Sequence, residues 1–273
     1  MTSKGTWILR IAAVLAAVAA VAAVLIGDVA TSAKPVRFDA ATFCPRDMPL
    51  QWSAIAIVDP TDPLSDLHLA SIRAGLKKLR QSAPVGGQIA IFMVDKTRPF
   101  EGTELLRLCN PGRGSDGNRY IAESEMQAQR RWERDFERPF EELIARLRTV
   151  PASPDSPILE TVTGIAMRPD FTSRIGTRVL YLASDGLQHR EGQFTHYIRG
   201  DRWKLYKAAE TNLGQRPDLS GVQVVFDYLA RFGDKERAFQ NAGHRIWWQQ
   251  WFAHVGVTDL EINGQKIAAG KQL

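Results

Sequence analysis

The chain has 273 residues, of which 44% are hydrophobic and 24% are charged, and its formal net charge is +5. This composition excludes a disordered chain and fits one large domain, with or without appendages, that can bury its own core. The basic residues are spread along the sequence and form no clustered stripe. We therefore expect no nucleic-acid binding.

The amino-terminal stretch is apolar and carries positive charge on its amino-terminal side. Lys4 and Arg10 precede residues 11–26, which are rich in alanine, valine and leucine and contain no charge. This pattern predicts one transmembrane signal anchor, with a signal peptide cleaved near Thr31-Ser32-Ala33 as the alternative. The positive charges keep that end in the cytoplasm, so we expect a single-pass protein of the inner (cytoplasmic) membrane with its remainder in the periplasm or another extracytoplasmic space. The predicted divisions are an anchor (1–33), a linker (34–50) and a folded domain (51–273).

Cysteine usage agrees with export. The chain has two cysteines, Cys44 and Cys109, and both follow the predicted anchor. Because disulfides persist in exported compartments, we predict that these two cysteines pair. The alternative is two separate buried thiols, without the Cys-Xaa-Xaa-Cys spacing of redox catalysts.

Apolar runs alternate with helical patterns in the rest of the chain. Residues 54–58 and 88–95 are short apolar runs of the kind that a parallel strand buried on both faces requires. Between them, residues 67–80 place apolar side chains on one broad helical face. This alternation predicts an α/β fold, with a doubly wound, mostly parallel sheet and helices on both faces. Further strands are predicted at 103–109 (an edge strand), 178–183, 221–230 and 257–262.

The turn after the first strand is rich in carboxylates and hydroxyls. It contains, in order, Asp59, Thr61, Asp62, Ser65 and Asp66, with prolines at positions 60 and 63. Open α/β sheets place their ligands outside the carboxyl ends of their strands, and crowded hard oxygen ligands favour Mg²⁺. The simpler alternative is ordinary turn and N-cap chemistry for the helix that follows.

A second strand end carries matching residues. Asp185 follows the strand at 178–183, and Ser156 stands just before another apolar helical pattern. If the two strands are neighbours in a doubly wound sheet, their ends bring Asp59 and Asp185 to one crevice.

Together these residues resemble the metal-ion-dependent adhesion site of von Willebrand factor A-like domains. That family builds its site from an Asp-Xaa-Ser-Xaa-Ser turn after the first strand, a Thr or Ser before a later helix, and an Asp after the fourth strand. The resemblance extends in strand and helix order from about Ala54 to the carboxyl terminus. It implies the same fold and a bound Mg²⁺, with Mn²⁺ or Ca²⁺ as alternatives. Carried across residue by residue, the implied ligands are Asp59, Thr61, Ser156 and Asp185.

The chain departs from the family pattern at one position. Pro63 stands where the family has its second serine, and proline has no hydroxyl to offer. Asp62 or Ser65 could substitute as an additional ligand, water could fill the position, or the site could have lost its metal.

Three further residues, Trp248, Gln188 and His189, are candidates for partner binding. Trp247, Trp248 and Trp251 recur at helical spacing; we expect the first and third to pack on the sheet and Trp248 to face partly outward. Gln188 and His189, which follow Asp185 closely, are the other candidate contacts.

The resemblance implies a binding module without catalytic activity. Its metal would accept a carboxylate from a protein partner within an envelope assembly, such as a conjugation, secretion or pilus apparatus. A metal-free scaffold stays open, with binding moved to the tryptophan helix or to the charged helical stretch at 121–150. A metal-dependent hydrolase or phosphatase also stays open. Ser184 lacks the Gly-Xaa-Ser-Xaa-Gly context of a nucleophile elbow.

Overall fold

The structure is a computed structural model, and it describes residues 37–116, 124–213 and 216–267. The strands are β1 (Trp52–Val58), β2 (Gln88–Met93), β3 (Thr103–Cys109), β4 (Thr177–Ser184), β5 (Val222–Tyr228), β6 (Asp259–Ile262) and β7 (Gln265–Ile267). The α-helices are α1 (Asp66–Ser82), α2 (Glu125–Trp132), α3 (Arg138–Leu147), α4 (Ile158–Ala166), α5 (Arg202–Ala209), α6 (Asp234–Phe239) and α7 (Ala242–His254). A π-helical turn, Glu133–Glu137, joins α2 to α3.

The seven strands of the described residues form one sheet in the order β3-β2-β1-β4-β5-β6-β7. Strands β2, β1, β4, β5 and β6 are parallel, while β3 and β7 pair antiparallel at the two edges. The predicted α/β fold with a mostly parallel sheet is confirmed. Because the strand order reverses between β1 and β4, a crevice opens at their carboxyl ends, where sheets of this kind bind ligands.

The sheet is covered on both faces. All residues of β1 are buried, as a central parallel strand requires. Ile55 and Ile57 contribute to a core that includes α4 and α7, whereas Ala54, Ala56 and Val58 contribute to a second core that includes α1 and α3. The helices thereby fix the sheet from both sides and leave its carboxyl edge for the loops.

The tryptophans of α7 are all buried. Trp248 is 0% exposed, so the expectation that it faces partly outward is wrong. The reason is that α7 is covered on two sides. Trp248 packs on Phe226 of β5 with ring centroids 5.3 Å apart, while Trp247 stacks on Phe194, which precedes α5, at 5.5 Å.

The predicted disulfide is present. Cys44 and Cys109 are bonded, with their Cα atoms 4.8 Å apart and a sequence separation of 65. The Cys109 amide also donates to the Thr42 carbonyl at 2.7 Å, and Phe38 and Pro45 form an isolated β-bridge. The later part of the predicted linker is therefore tied to the edge strand β3.

The predicted membrane anchor, residues 1–33, lies outside the described residues. Among the residues that the structure does describe, no helix is long and apolar enough to cross a membrane. The anchor stays a prediction.

Removing the disulfide is expected to lower the free energy of unfolding by about 4 kcal/mol, because the bond closes a long loop in the unfolded chain. The measurement is urea denaturation of the oxidised protein and of the Cys44→Ser, Cys109→Ser double variant. Equal free energies of unfolding would show that the loop is constrained by other contacts even in the denatured chain.

Candidate functional site

Asp59 is the centre of the candidate site. It follows β1 directly and is 2% exposed. One carboxylate oxygen accepts hydrogen bonds from the Thr61 hydroxyl at 2.6 Å and the Thr61 amide at 3.1 Å. The other oxygen accepts from the hydroxyls of Ser184 at 2.7 Å and Ser156 at 3.0 Å. These four donors replace the water that a carboxylate loses on burial.

The crevice draws its side chains from three segments. Asp59 and Thr61 follow β1, Ser184 and Asp185 lie at the end of β4, and Ser156 precedes α4. The sequence places Ser184 beside Asp185 at the end of its strand, but Ser184 is not among the ligands that the resemblance implies. The structure gives the reason for its place in the crevice: Val58 lies opposite Ala183 in the register of β1 and β4, and the next residues along the two strands are Asp59 and Ser184.

The four ligands that the resemblance implies, Asp59, Thr61, Ser156 and Asp185, do meet at this crevice. Ser156 is held in place by a two-way backbone bridge, in which its amide donates to the His189 carbonyl at 2.7 Å and the His189 amide donates back at 3.0 Å.

Arg231 is a further residue of the crevice that the sequence analysis did not identify. Its Nε donates to Asp185 Oδ2 at 2.6 Å, and its Nη2 contacts Asp62 Oδ2. The Arg231 amide is fixed in turn by Gln240 Oε1 at 2.6 Å. Arg231 follows β5 at the same carboxyl edge as the aspartates, and this strand-end position was the only signal in the sequence.

The charges in the crevice depend on one another. Burial raises the pKa of Asp185 to about 6, the nearby charge of Asp59 raises it as well, and Arg231 opposes both. Burial by itself would lower the pKa of Arg231, but the carboxylates of Asp185, Asp62 and Asp59 raise it above its usual value. The guanidinium is therefore a permanent cation inside a group of acids.

The residues as arranged do not fit a bound Mg²⁺. The guanidinium of Arg231 occupies Oδ2 of Asp185 and Oδ2 of Asp62, the Leu187 amide donates to Oδ1 of Asp185, and Pro63 offers no ligand. Ser65 is the N-cap of α1, and its hydroxyl accepts a hydrogen bond from the His68 amide at 3.2 Å. For Ser65, therefore, the alternative of ordinary N-cap chemistry is correct. Within the described residues there is no group of three or more His, Cys, Asp or Glu side chains that could hold a metal ion.

The turn after Asp185 is fixed by a buried cluster around one carbonyl. Trp248 Nε1 donates to the Gly186 oxygen at 3.0 Å, and the rings of His196 and His244 reach the same oxygen at 2.8 and 3.0 Å. Gly186 has φ +72°, and a Cβ there would lie 2.5 Å from the Trp248 nitrogen. The side chain predicted to contact a partner instead positions the loop that carries Asp185.

Gln188 is also an interior residue. It is 0% exposed; its Oε1 accepts the Leu159 amide at 2.9 Å, and its Nε2 donates to the buried carboxyl of Glu160 at 3.0 Å. It cannot contact a partner, because it is fully enclosed. His189 is half-buried and keeps access to solvent, with Nδ1 2.9 Å from the Thr195 hydroxyl. Of the three candidates for partner binding, His189 alone reaches the surface.

The two histidines that surround the Gly186 carbonyl, His196 and His244, should make the fold sensitive to acid. Burial lowers the pKa of His196 well below its usual value and that of His244 to about 3. Below about pH 6.5 these two histidines bind protons in the unfolded chain but stay neutral in the folded chain. The free energy of unfolding should therefore fall as pH falls, by up to about 1.4 kcal/mol per pH unit for each histidine. Asp185 opposes this loss, because its raised pKa makes the folded chain bind a proton near pH 6.

Urea denaturation between pH 6.5 and 5 tests this balance. Relative to the wild type, His244→Gln should flatten the dependence of unfolding free energy on pH, whereas Asp185→Asn should steepen it. Identical dependence of the unfolding free energy on pH in all three proteins would contradict the pKa shifts assigned to His244 and Asp185.

Comparison with known proteins assigns no family to this chain. No family model matches it, and no curated protein is significantly similar to it. Any functional conclusion rests on the fold and on the crevice at the carboxyl ends of β1 and β4.

Proposed function

We propose that the chain is a membrane-anchored, extracytoplasmic binding module of the von Willebrand factor A-like type that binds a protein partner in an envelope assembly. The observation that carries this proposal is the convergence of Asp59, Thr61, Ser156 and Asp185 at the switch point of the sheet. These are the positions that the resemblance selects. The disulfide between Cys44 and Cys109 supports export, because such bonds persist in oxidising compartments.

The contacts of Arg231 favour the metal-free form of this module over the metal-dependent form. A divalent ion would have to displace a guanidinium that already contacts two carboxylates. In the metal-free form the arginine supplies the positive charge that holds the turns after β1, β4 and β5 together. The crevice is then a rigid, preformed surface, and its exposed rim is available to a partner.

The hydrolase alternative has less support. The hydroxyl of Ser184 is 0% exposed and donates to the carboxylate of Asp59, and no hydrogen bond among the described residues joins it to a histidine. A nucleophilic serine needs a base within hydrogen-bond reach and access to substrate.

Site-specific photo-crosslinking tests the binding proposal. The photoreactive residue p-benzoylphenylalanine replaces Tyr197, a half-buried ring beside the crevice, in the full chain produced in its own host. The matched control replaces Val85, which is 38% exposed in the turn between α1 and β2, at the opposite edge of the sheet. We expect a discrete protein adduct from position 197 and none from position 85. Adducts from position 85 alone would show that the partner does not bind at the crevice.

A further inference from the structure

A cavity of about 450 Å³ opens beside the crevice. Its lining combines two hydroxyls of the crevice, one carboxylate and three rings: Thr61, Ser156, Asp62, His189, Tyr197 and Phe239. The cavity continues the candidate site toward solvent, so a group that enters it meets the residues that surround Asp59.

The three rings form a connected wall. The centroids of Tyr197 and Phe239 lie 5.2 Å apart with the ring planes at 69°, and those of His189 and Tyr197 lie 5.7 Å apart at 90°. Phe239 already has a guanidinium near its ring, because the Arg202 side chain lies 5.7 Å from the ring centroid. Aromatic faces attract cations through their quadrupole, and the attraction is stronger where water is partly excluded.

Around the cavity, the four carboxylates of Asp59, Asp62, Asp155 and Asp185 outnumber the two guanidinium groups of Arg231 and Arg202. The guanidinium of Arg231 contacts the carboxylates of Asp62 and Asp185, and the charge of the buried Asp59 carboxylate acts on it from nearby. The Asp62 side chain is 41% exposed at the cavity, and Asp155 lies 3.9 Å from Nε2 of His189. This local charge is opposite in sign to the net charge of +5 on the whole chain. The electrostatic potential in such a recess is negative and therefore favours a positively charged ligand group.

We propose that this cavity receives a basic side chain, arginine or lysine, from the protein partner. The charged group lies against the Tyr197 and His189 rings and pairs with the Asp62 carboxylate, while the hydroxyls of Thr61 and Ser156 line the inner end. This proposal rests on the proposed binding function and names the chemistry of the partner. It reverses the polarity of the metal-dependent form, in which the partner supplies an acid.

The probe is N-acetyl-arginine amide, titrated into the purified full chain and followed by amide chemical shifts in ¹H–¹⁵N spectra. Its neutral isostere N-acetyl-citrulline amide and the acidic N-acetyl-aspartate amide are the matched controls. We expect saturable shifts around the cavity with the arginine probe alone, at the weak affinity that a ligand of this size allows. Tyr197→Leu and Asp62→Asn should each weaken binding by about threefold or more. Asp259→Asn, which removes an exposed acid paired with Lys266 at a distant edge, should leave it unchanged.

Equal shifts from the citrulline probe, stronger binding of the aspartate probe, or an equal loss in Asp259→Asn would overturn the proposal. Its failure is distinct from failure of the binding function. An adduct from position 197 without arginine binding would refute the proposal that a basic side chain enters the cavity. It would leave the proposed binding function intact. Arginine binding without any adduct would support the cation-binding cavity and refute the proposed protein partner.

Discussion

Three acids that meet at the ends of parallel strands are the constraint on which the rest of the site depends. The parallel arrangement of β1 and β4 brings Asp59 and Asp185 to one edge, where both are almost fully buried. Buried carboxylates without partners would cost several kcal/mol each, so the surrounding segments must supply donors and a cation. Hydroxyls donate to Asp59, and the guanidinium of Arg231 pairs with Asp185 and Asp62.

The need to hold these buried acids in place also explains the packing of the loop after β4 against α7. Asp185 stays in place only if the turn after it is rigid, and the buried rings of Trp248, His196 and His244 fix that turn through the Gly186 carbonyl. The aromatic cluster on α7 is therefore both core and support for the crevice. The same rigidity leaves the outer cavity open, with aromatic rings and a partly exposed carboxylate on its rim.

Much of this architecture could be predicted from local patterns. Buried apolar runs predicted the central strands, and the rule that ligands gather at strand ends predicted that Asp59 and Asp185 would meet. The resemblance to von Willebrand factor A-like domains added Thr61 and Ser156 to that set. Arg231 could not be predicted in the same way, because its contacts join loops that are 46 and 169 positions apart in sequence. Trp248 was misplaced because helical spacing shows one buried face, whereas α7 is covered on two sides by the sheet and by the segment at Phe194.

The central claim is that Arg231 supplies the positive charge in the crevice and that a divalent metal does not. It is tested most directly by thermal unfolding of the full chain with EDTA, Mg²⁺ or Mn²⁺, in wild type, Arg231→Met and the surface control Arg73→Met. We predict no metal-dependent shift in wild type or control, and a lower midpoint in Arg231→Met that Mg²⁺ or Mn²⁺ partly restores. A metal at a hundred times its Kd adds about 2.7 kcal/mol, which moves the midpoint by a few degrees. A rise of that size in wild type, abolished by Asp185→Ala, would contradict the account.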